Sequence, residues 1–456
     1  MSFSSRCEGM RSAIAGMVTG FKPFAARLLI EANRADSADW EGEARQRGAH
    51  CLAGVGATTV SRLGLGRKLL LLAIVIASII LLCETIIQGD LAGAWRTFGV
   101  PAMSPTFADT RTVTHSIECK EMGYNPYITG KCDPWGRRYN YPPGWLQLGK
   151  VSLGPATTNI AGLIIATCFI LILVILNGLR RYPSAIIMVL AVLSPPVLLG
   201  LERGNTDIVI FSLACVLFYF SDPASRSYTI IISVGIVLLT ALKVYPVAMA
   251  VSLVQSRHDI FLALFVSMAA IAALIVSSND QFGHFLANQS GQWSVSRSFG
   301  APVLPLRLTN LHQDMLLSVL SAALAACTAL IALWFALRFA QFSLFLPRLD
   351  GTRVGRLALA CNSVYLYCFL LQTNYDYRLV FLLPFILISL EQFESLPDYR
   401  KLWIPALVVL YFWVAPLNSW ITDLASLSVF CIVFISTGIV FLEAMGIKIR
   451  LNVRLG

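Results

Sequence analysis

The stretch Leu69 to Ile87, LLLLAIVIASIILLCETII, constrains this chain most, because it follows Arg67 and Lys68 and has about the 20 apolar residues a helix needs to cross a bilayer's hydrocarbon core. Apolar stretches recur along the sequence, bounded by Arg, Lys, Pro and polar loops, and predict spans near 156–177, 184–201, 207–220, 228–242, 246–254, 260–277, 316–337, 357–372, 379–390, 403–416 and 425–445. With the first, they make about twelve segments. The 456 residues are 57% hydrophobic and 13% charged, roughly half the charge fraction of a soluble domain. The expected fold is all-α and polytopic, with transmembrane or re-entrant helices, since backbone polar groups in lipid must be bonded internally. The net charge of +10 does not point to nucleic acid. The basic residues flank hydrophobic segments, as membrane anchors do.

Positive-inside logic sets the expected layout. Residues 1–67 read as a cytoplasmic N-terminal tail, without the apolar core and cleavage site of a signal peptide. Residues 68–447 form the membrane domain, 88–155 its first extracytoplasmic loop, and 448–456 a cytoplasmic C-terminal tail. Residues 228–254 fit either one helix kinked at Pro246 or a hairpin turning at Lys243 to Tyr245. The hairpin puts Arg338, Arg348, Arg353, Arg356, Arg400, Lys401, Lys448, Arg450 and Arg454 inside and only Arg297, Arg307 and Arg378 outside. It is therefore preferred. Most of the 11 cysteines lie in predicted spans as small hydrophobes. Cys119 and Cys132 lie in the first loop, where either a disulfide or two free thiols fits the spacing.

Ionisable residues at the rim of a span are costly and call for a reason. LERGNTD (Leu201 to Asp207), ALKVYP (Ala241 to Pro246) and NYDYR (Asn374 to Arg378) put Arg203, Lys243 and Arg378 on the side of the first loop. Together they would make a cationic pocket for a phosphate carried on a lipid. The plainer reading is that these cations snorkel to headgroups or pair with Glu202, Asp207 and Asp376. The first loop adds Asp109, then GYNPY (Gly123 to Tyr127) and RRYNYPPGW (Arg137 to Trp145). A carboxylate can take a proton from a sugar hydroxyl, and aromatic rings pack on sugar faces. There is no HExxH and no paired acidic motif, so neither a metal nor another cofactor is expected.

In these segments, from Asp109 through GYNPY, NYPP, ERGN (Glu202 to Asn205), LKVYP (Leu242 to Pro246) and Tyr377-Arg378, the chain resembles the GT-C superfamily and within it glycosyltransferase family 87, which includes polyprenol-phosphate-mannose-dependent mannosyltransferases and related arabinofuranosyltransferases. The likeness runs in order over roughly residues 68 to 440. It implies an inner (plasma) membrane enzyme whose extracytoplasmic loop carries amphipathic helices over a membrane cavity. The implied reaction is inverting transfer of mannose or arabinofuranose from a polyprenyl-phosphate donor to a lipid or glycan acceptor. Asp109 would be the general base, Arg203, Lys243 and Arg378 would hold the donor phosphate, and Tyr141, Glu202, Asn205 and Tyr245 would contact substrate. Asp133 is a rival base. The loop Ser277 to Gln313, with His284, Arg297 and His312, would shape the acceptor site, and Asn288 to Ser290 has the form of a glycosylation sequon.

A secondary transporter or flippase for lipid-linked sugar remains the alternative, since broken helices and embedded cations suit alternating access as well. Against it, no second copy of the long first loop is visible. An O-antigen polymerase or ligase would put its largest outer loop late in the chain, and here it comes first.

Overall fold

The computed structural model describes residues 64–151, 153–223, 225, 227–278, 281–289, 297–304, 315–338, 346–349, 351–371, 374–395, 398–417 and 419–447. Nearly all of the N-terminal tail, the C-terminal tail, Ser290, Arg307 and His312 lie outside the described residues. Helices dominate. Among the described residues the strands form one antiparallel pair, Ser298–Phe299 (β1) with Asn374–Tyr375 (β2).

Seven described helices are long and apolar enough to cross a membrane: Leu65–Gln88, Pro155–Leu176, Asp259–Ser278, Leu316–Arg338, Arg353–Leu371, Tyr399–Leu417 and Trp420–Ala444. An eighth would be the bent pair Tyr182–Val192 and Pro195–Arg203, which meet at 46°. Pro195 and Pro196 supply no backbone N–H to continue the first helix, which explains the break. Thr206–Phe220 and Tyr228–Leu242 are shorter apolar helices. Arg353–Leu371 sits centrally, with 72% of its apolar window buried, against 6% for Leu65–Gln88. On Asp259–Ser278 the exposed residues Phe261, Leu264, Phe265 and Met268 fall at i, i+3, i+4 and i+7, one apolar stripe suited to lipid.

We number the helices that frame the site α1 (Leu65–Gln88), α2 (Leu91–Thr97), α3 (Ala108–Glu121), α4 (Thr158–Leu176), α5 (Tyr182–Val192), α6 (Pro195–Arg203), α7 (Thr206–Phe220) and α8 (Tyr228–Leu242). The bundle has two chemically distinct ends. At one, Trp145 Nε1 donates to Leu242 O at 2.8 Å and Asn125 Nδ2 to Gln281 Oε1 at 3.1 Å, joining the loop after α1 to the tips of the helices. At the other, Gly66 N donates to Leu179 O at 2.7 Å, the Arg180 and Arg181 N–H groups bind the Glu394 carboxylate, and Arg348 N donates to Gln392 Oε1 at 3.0 Å.

The stretch after α8 turns back. Arg356 touches Tyr228, the first residue of α8, with its guanidinium 5.1 Å from the ring centre, and also donates to Gln255 Oε1 at 3.2 Å. Both feet of the segment thus stand at one place, while Lys243 and Tyr245 at its apex reach Asp207. The descending limb is the 3-10 helix Tyr245–Leu253, opened by Pro246. Below the apex, Tyr245 packs on Phe381 at 5.5 Å between centroids, Phe381 on Phe211 at 6.0 Å and Phe211 on Phe169 at 5.6 Å. That aromatic chain fixes the apex on the buried core.

Candidate active site

The site begins at Phe107, which precedes α3 with a left-handed backbone (φ 59°). That conformation costs a residue with a Cβ on the order of 1 kcal/mol. Three contacts hold it. Phe107 N donates to Glu202 O at 3.0 Å, Thr110 Oγ1 donates to Gly204 O at 2.7 Å, and the Phe107 ring fills the space where a Cβ on Gly162 would stand, 2.4 Å away. The first turn of α3 is therefore locked against α4 and the α6–α7 turn, and it carries Asp109.

Asp109 is 8% exposed. Asn205 Nδ2 donates to its Oδ2, and Arg137 Nη1 lies 3.6 Å from its Oδ1. Asn205 performs two tasks, because its own Oδ1 accepts from Asp207 N at 2.6 Å and caps α7. Gly204 ends α6 in the left-handed region (φ 54°), and Asn205 starts α7 directly after it. The ERGN segment is thus a C-cap joined to an N-cap.

Asp133 is the poorer base on geometry. Its side chain is 2% exposed, and its oxygens accept from Thr112 Oγ1 at 3.0 Å, Arg137 Nη2 at 3.1 Å and Trp135 N at 2.9 Å. Burial would lower the Arg137 pKa, but the hydrogen bond that it donates to Asp133 and the charges of Asp109 and Asp133 carry it above its ordinary value. Sulfur atoms of Cys119 and Cys132 are bonded, with Cα atoms 5.7 Å apart, clipping the end of α3 to the turn that holds Asp133. Asn288 Nδ2 donates to Tyr127 O at 2.8 Å and Tyr139 O at 2.9 Å, so the amide of the sequon-like segment ties the second loop to the first.

Beside Asp109 opens a cavity of about 440 Å³. The first loop lines it with Asp109, Thr112, Arg137, Arg138, Asn140 and Tyr141, and the approach to that loop's helix adds Pro101 and Met103. Leu199 and Arg203 come from α6, Arg297 from just before β1, and Tyr375 and Tyr377 from β2 and beyond. Tyr375 and Tyr377 stack with centroids 5.5 Å apart and planes 25° apart. Four guanidinium groups and one carboxylate share this wall. Such a surface suits an anion attached to something with hydroxyl groups and an apolar face.

Five residues expected to contact substrate sit behind this lining rather than in it. Lys243 Nζ bonds Asp207 Oδ1 and donates to Thr206 Oγ1 at 2.8 Å; Tyr245 OH donates to Asp207 Oδ1 at 2.8 Å; Arg378 Nε lies 2.9 Å from Asp207 Oδ2. Asp207 is completely buried, so two cations and a phenol gather around a carboxylate removed from bulk solvent. Glu202 is also completely buried, accepting from Met103 N at 3.0 Å and facing Arg203 Nε at 3.1 Å. Asn205 reaches the cavity only through Asp109. Of the expected set, Asp109, Arg203 and Tyr141 line the cavity itself. Lys243 stands 4.8 Å from the Tyr141 ring centre, which puts the ion cluster one side chain behind the wall.

Sequence reading did not single out Arg137, Arg138, Tyr375 or Tyr377 as site groups. Two adjacent arginines opening an aromatic Tyr-Pro-Pro segment were the visible signal, as were the tyrosines alternating in NYDYR.

A bundle of membrane-length helices with a cation-rich cavity beside one carboxylate at one end fits a multi-pass membrane protein with a charged site. Residues 139–364, just under half of the chain, match the family model of glycosyltransferase family 87. The match indicates a membrane glycosyltransferase and is consistent with the GT-C superfamily. The match takes in Tyr141, Glu202, Arg203, Asn205, Lys243 and Tyr245, while Asp109 and Arg378 lie on either side of it. No curated protein and no solved structure matches the chain.

Proposed function

We propose that the protein transfers mannose or arabinofuranose from a polyprenyl-phosphate donor to a lipid or glycan acceptor at the extracytoplasmic face of the inner membrane. The observation that carries this reading is Asp109, a largely buried carboxylate in a cavity wall otherwise supplied with guanidinium groups and tyrosines. The acceptor hydroxyl attacks the anomeric carbon, its proton passes to Asp109, and the bond from that carbon to the phosphate oxygen breaks with its electron pair left on the phosphate. Charge grows on the leaving group, and fixed cations at that spot lower the barrier. Asn205 and Arg137 keep the carboxylate aimed at the cavity. Tyr141 and the stacked Tyr375 and Tyr377 offer ring faces to the sugar.

In this reading the cavity end is extracytoplasmic. A Cys119–Cys132 disulfide favours an oxidising compartment, and Arg180, Arg181, Arg348, Arg353 and Arg356 collect at the opposite end. We count twelve passages in this reading: the seven longer spans, the bent pair, Thr206–Phe220, Tyr228–Leu242, Tyr245–Leu253 and the run from Asp376–Leu382 through Leu383–Ser395.

The test uses purified protein in liposomes with radiolabelled polyprenyl-phosphate mannose and a host lipid extract. Wild type should move label into new lipid or glycan, and Asp109→Asn should lose roughly 10²- to 10⁴-fold of that rate while still binding donor. Movement of the intact donor between leaflets, without transfer by wild type, would replace this reading with a carrier.

A further inference from the structure

We propose that Arg297, together with Arg203, forms the anion subsite of the cavity, and that Lys243 and Arg378 are positioning residues that brace Asp207 rather than ligands of the donor. The assignment to a donor phosphate rests on the transferase reading above; the anion subsite itself does not.

Arg297 is held in place by its backbone. It adopts a left-handed conformation (φ 58°), sparsely populated for a residue with a side chain. Asp376 N donates to Arg297 O at 3.0 Å, and the next two residues pair with β2, Ser298 opposite Tyr375 and Phe299 opposite Asn374. Its Nη2 donates to Gly99 O at 2.9 Å, tethering the guanidinium to the segment between α2 and α3. Strained conformations kept in place by surrounding bonds concentrate at functional sites. Here the result is a cation from a distant loop delivered to the cavity that Asp109 lines.

Placement on the cavity wall separates the two sets of cations. Lys243 and Arg378 share Asp207, and neither lines the cavity. Arg137 faces Asp133 and Asp109. Arg203 and Arg297 both line the cavity; Glu202 faces Arg203 and Asp376 offsets part of the charge of Arg297, while the two guanidinium charges oppose each other. An anion between two such groups relieves that repulsion, and the planar guanidinium fork matches phosphate oxygens. A phosphate that gains charge as its bond to the sugar breaks is held more tightly after that break than before it.

The experiment measures binding to full-length protein in nanodiscs through tryptophan fluorescence. The probes are farnesyl phosphate, farnesol, inorganic phosphate and phosphatidic acid. Arg297→Asn is the informative variant, because Asn tolerates the left-handed backbone while removing the cation. It should weaken farnesyl phosphate binding at least tenfold and leave farnesol binding unchanged, with Arg297→Lys intermediate. Unchanged farnesyl phosphate affinity in Arg297→Asn, or an equal loss for farnesol, would overturn the subsite. Arg297-dependent binding of inorganic phosphate without binding of farnesyl phosphate would keep the subsite and overturn the donor reading. Displacement by phosphatidic acid as efficient as by farnesyl phosphate would assign the site to a membrane headgroup.

Discussion

Asn205 lies 96 residues beyond Asp109 in the chain, yet its amide nitrogen donates to the Asp109 carboxylate while its amide oxygen caps α7 through Asp207 N. One side chain thus fixes both the start of a membrane helix and the orientation of the proposed base. Neither task is visible in the other's part of the sequence.

Separating those tasks by mutation gives the first prediction. Asn205→Asp keeps an oxygen for the cap but removes the donor to Asp109 and sets a second buried carboxylate against it. Transfer should fall at least tenfold, and thermal stability should fall with it. Asn205→Ala removes the cap as well and should cost about 1 kcal/mol of stability. A wild-type transfer rate in Asn205→Asp would show that the contact does not govern Asp109.

Asp207 is the second case. Asp207→Ala leaves Lys243 and Arg378 buried against each other without a counter-ion, and removing one partner of a buried pair costs roughly 3–5 kcal/mol. Lys243→Met in the same background should recover part of that loss. A double-mutant cycle read by thermal unfolding in detergent should give a coupling of about 1–3 kcal/mol. Strict additivity would mean that the cluster braces nothing.

Backbone packing behind Asp109 supplies the third. Gly162→Ala would push a methyl group into the Phe107 ring, and Phe107 aims the turn that carries Asp109. Transfer should fall by about tenfold or more while the protein still inserts and folds, since a 1 Å displacement of a reacting group is enough for large losses. Gly154→Ala meets open space and should be silent. Equal effects at the two positions would point to general loss of helix packing.

The membrane class was legible because it depends on local composition. A stretch such as Leu69 to Ile87 has few ways to satisfy its backbone outside a lipid-spanning helix, and that holds whatever surrounds it. Asp109, Arg203 and Tyr141 could be singled out for a similar reason: polar groups at the rim of apolar segments are expensive and so draw attention. The turn at Lys243 was legible in the distribution of basic residues, and the contacts of Arg356 with both Tyr228 and Gln255 give it a geometric basis.

Which cations face the cavity was decided by the tertiary structure alone. Lys243, Arg378 and Arg203 look alike in sequence, each a basic residue beside a break between apolar segments. Folding brings Asp207 to the first two and Glu202 to the third, and leaves only Arg203 on the cavity wall, beside an Arg297 delivered from another loop. Composition and spacing fix the short-range cost of placing a charge near lipid. The partner that answers that cost is set by long-range packing, which brings residues 99, 203, 297 and 375 around one space and which no local pattern in the chain encodes.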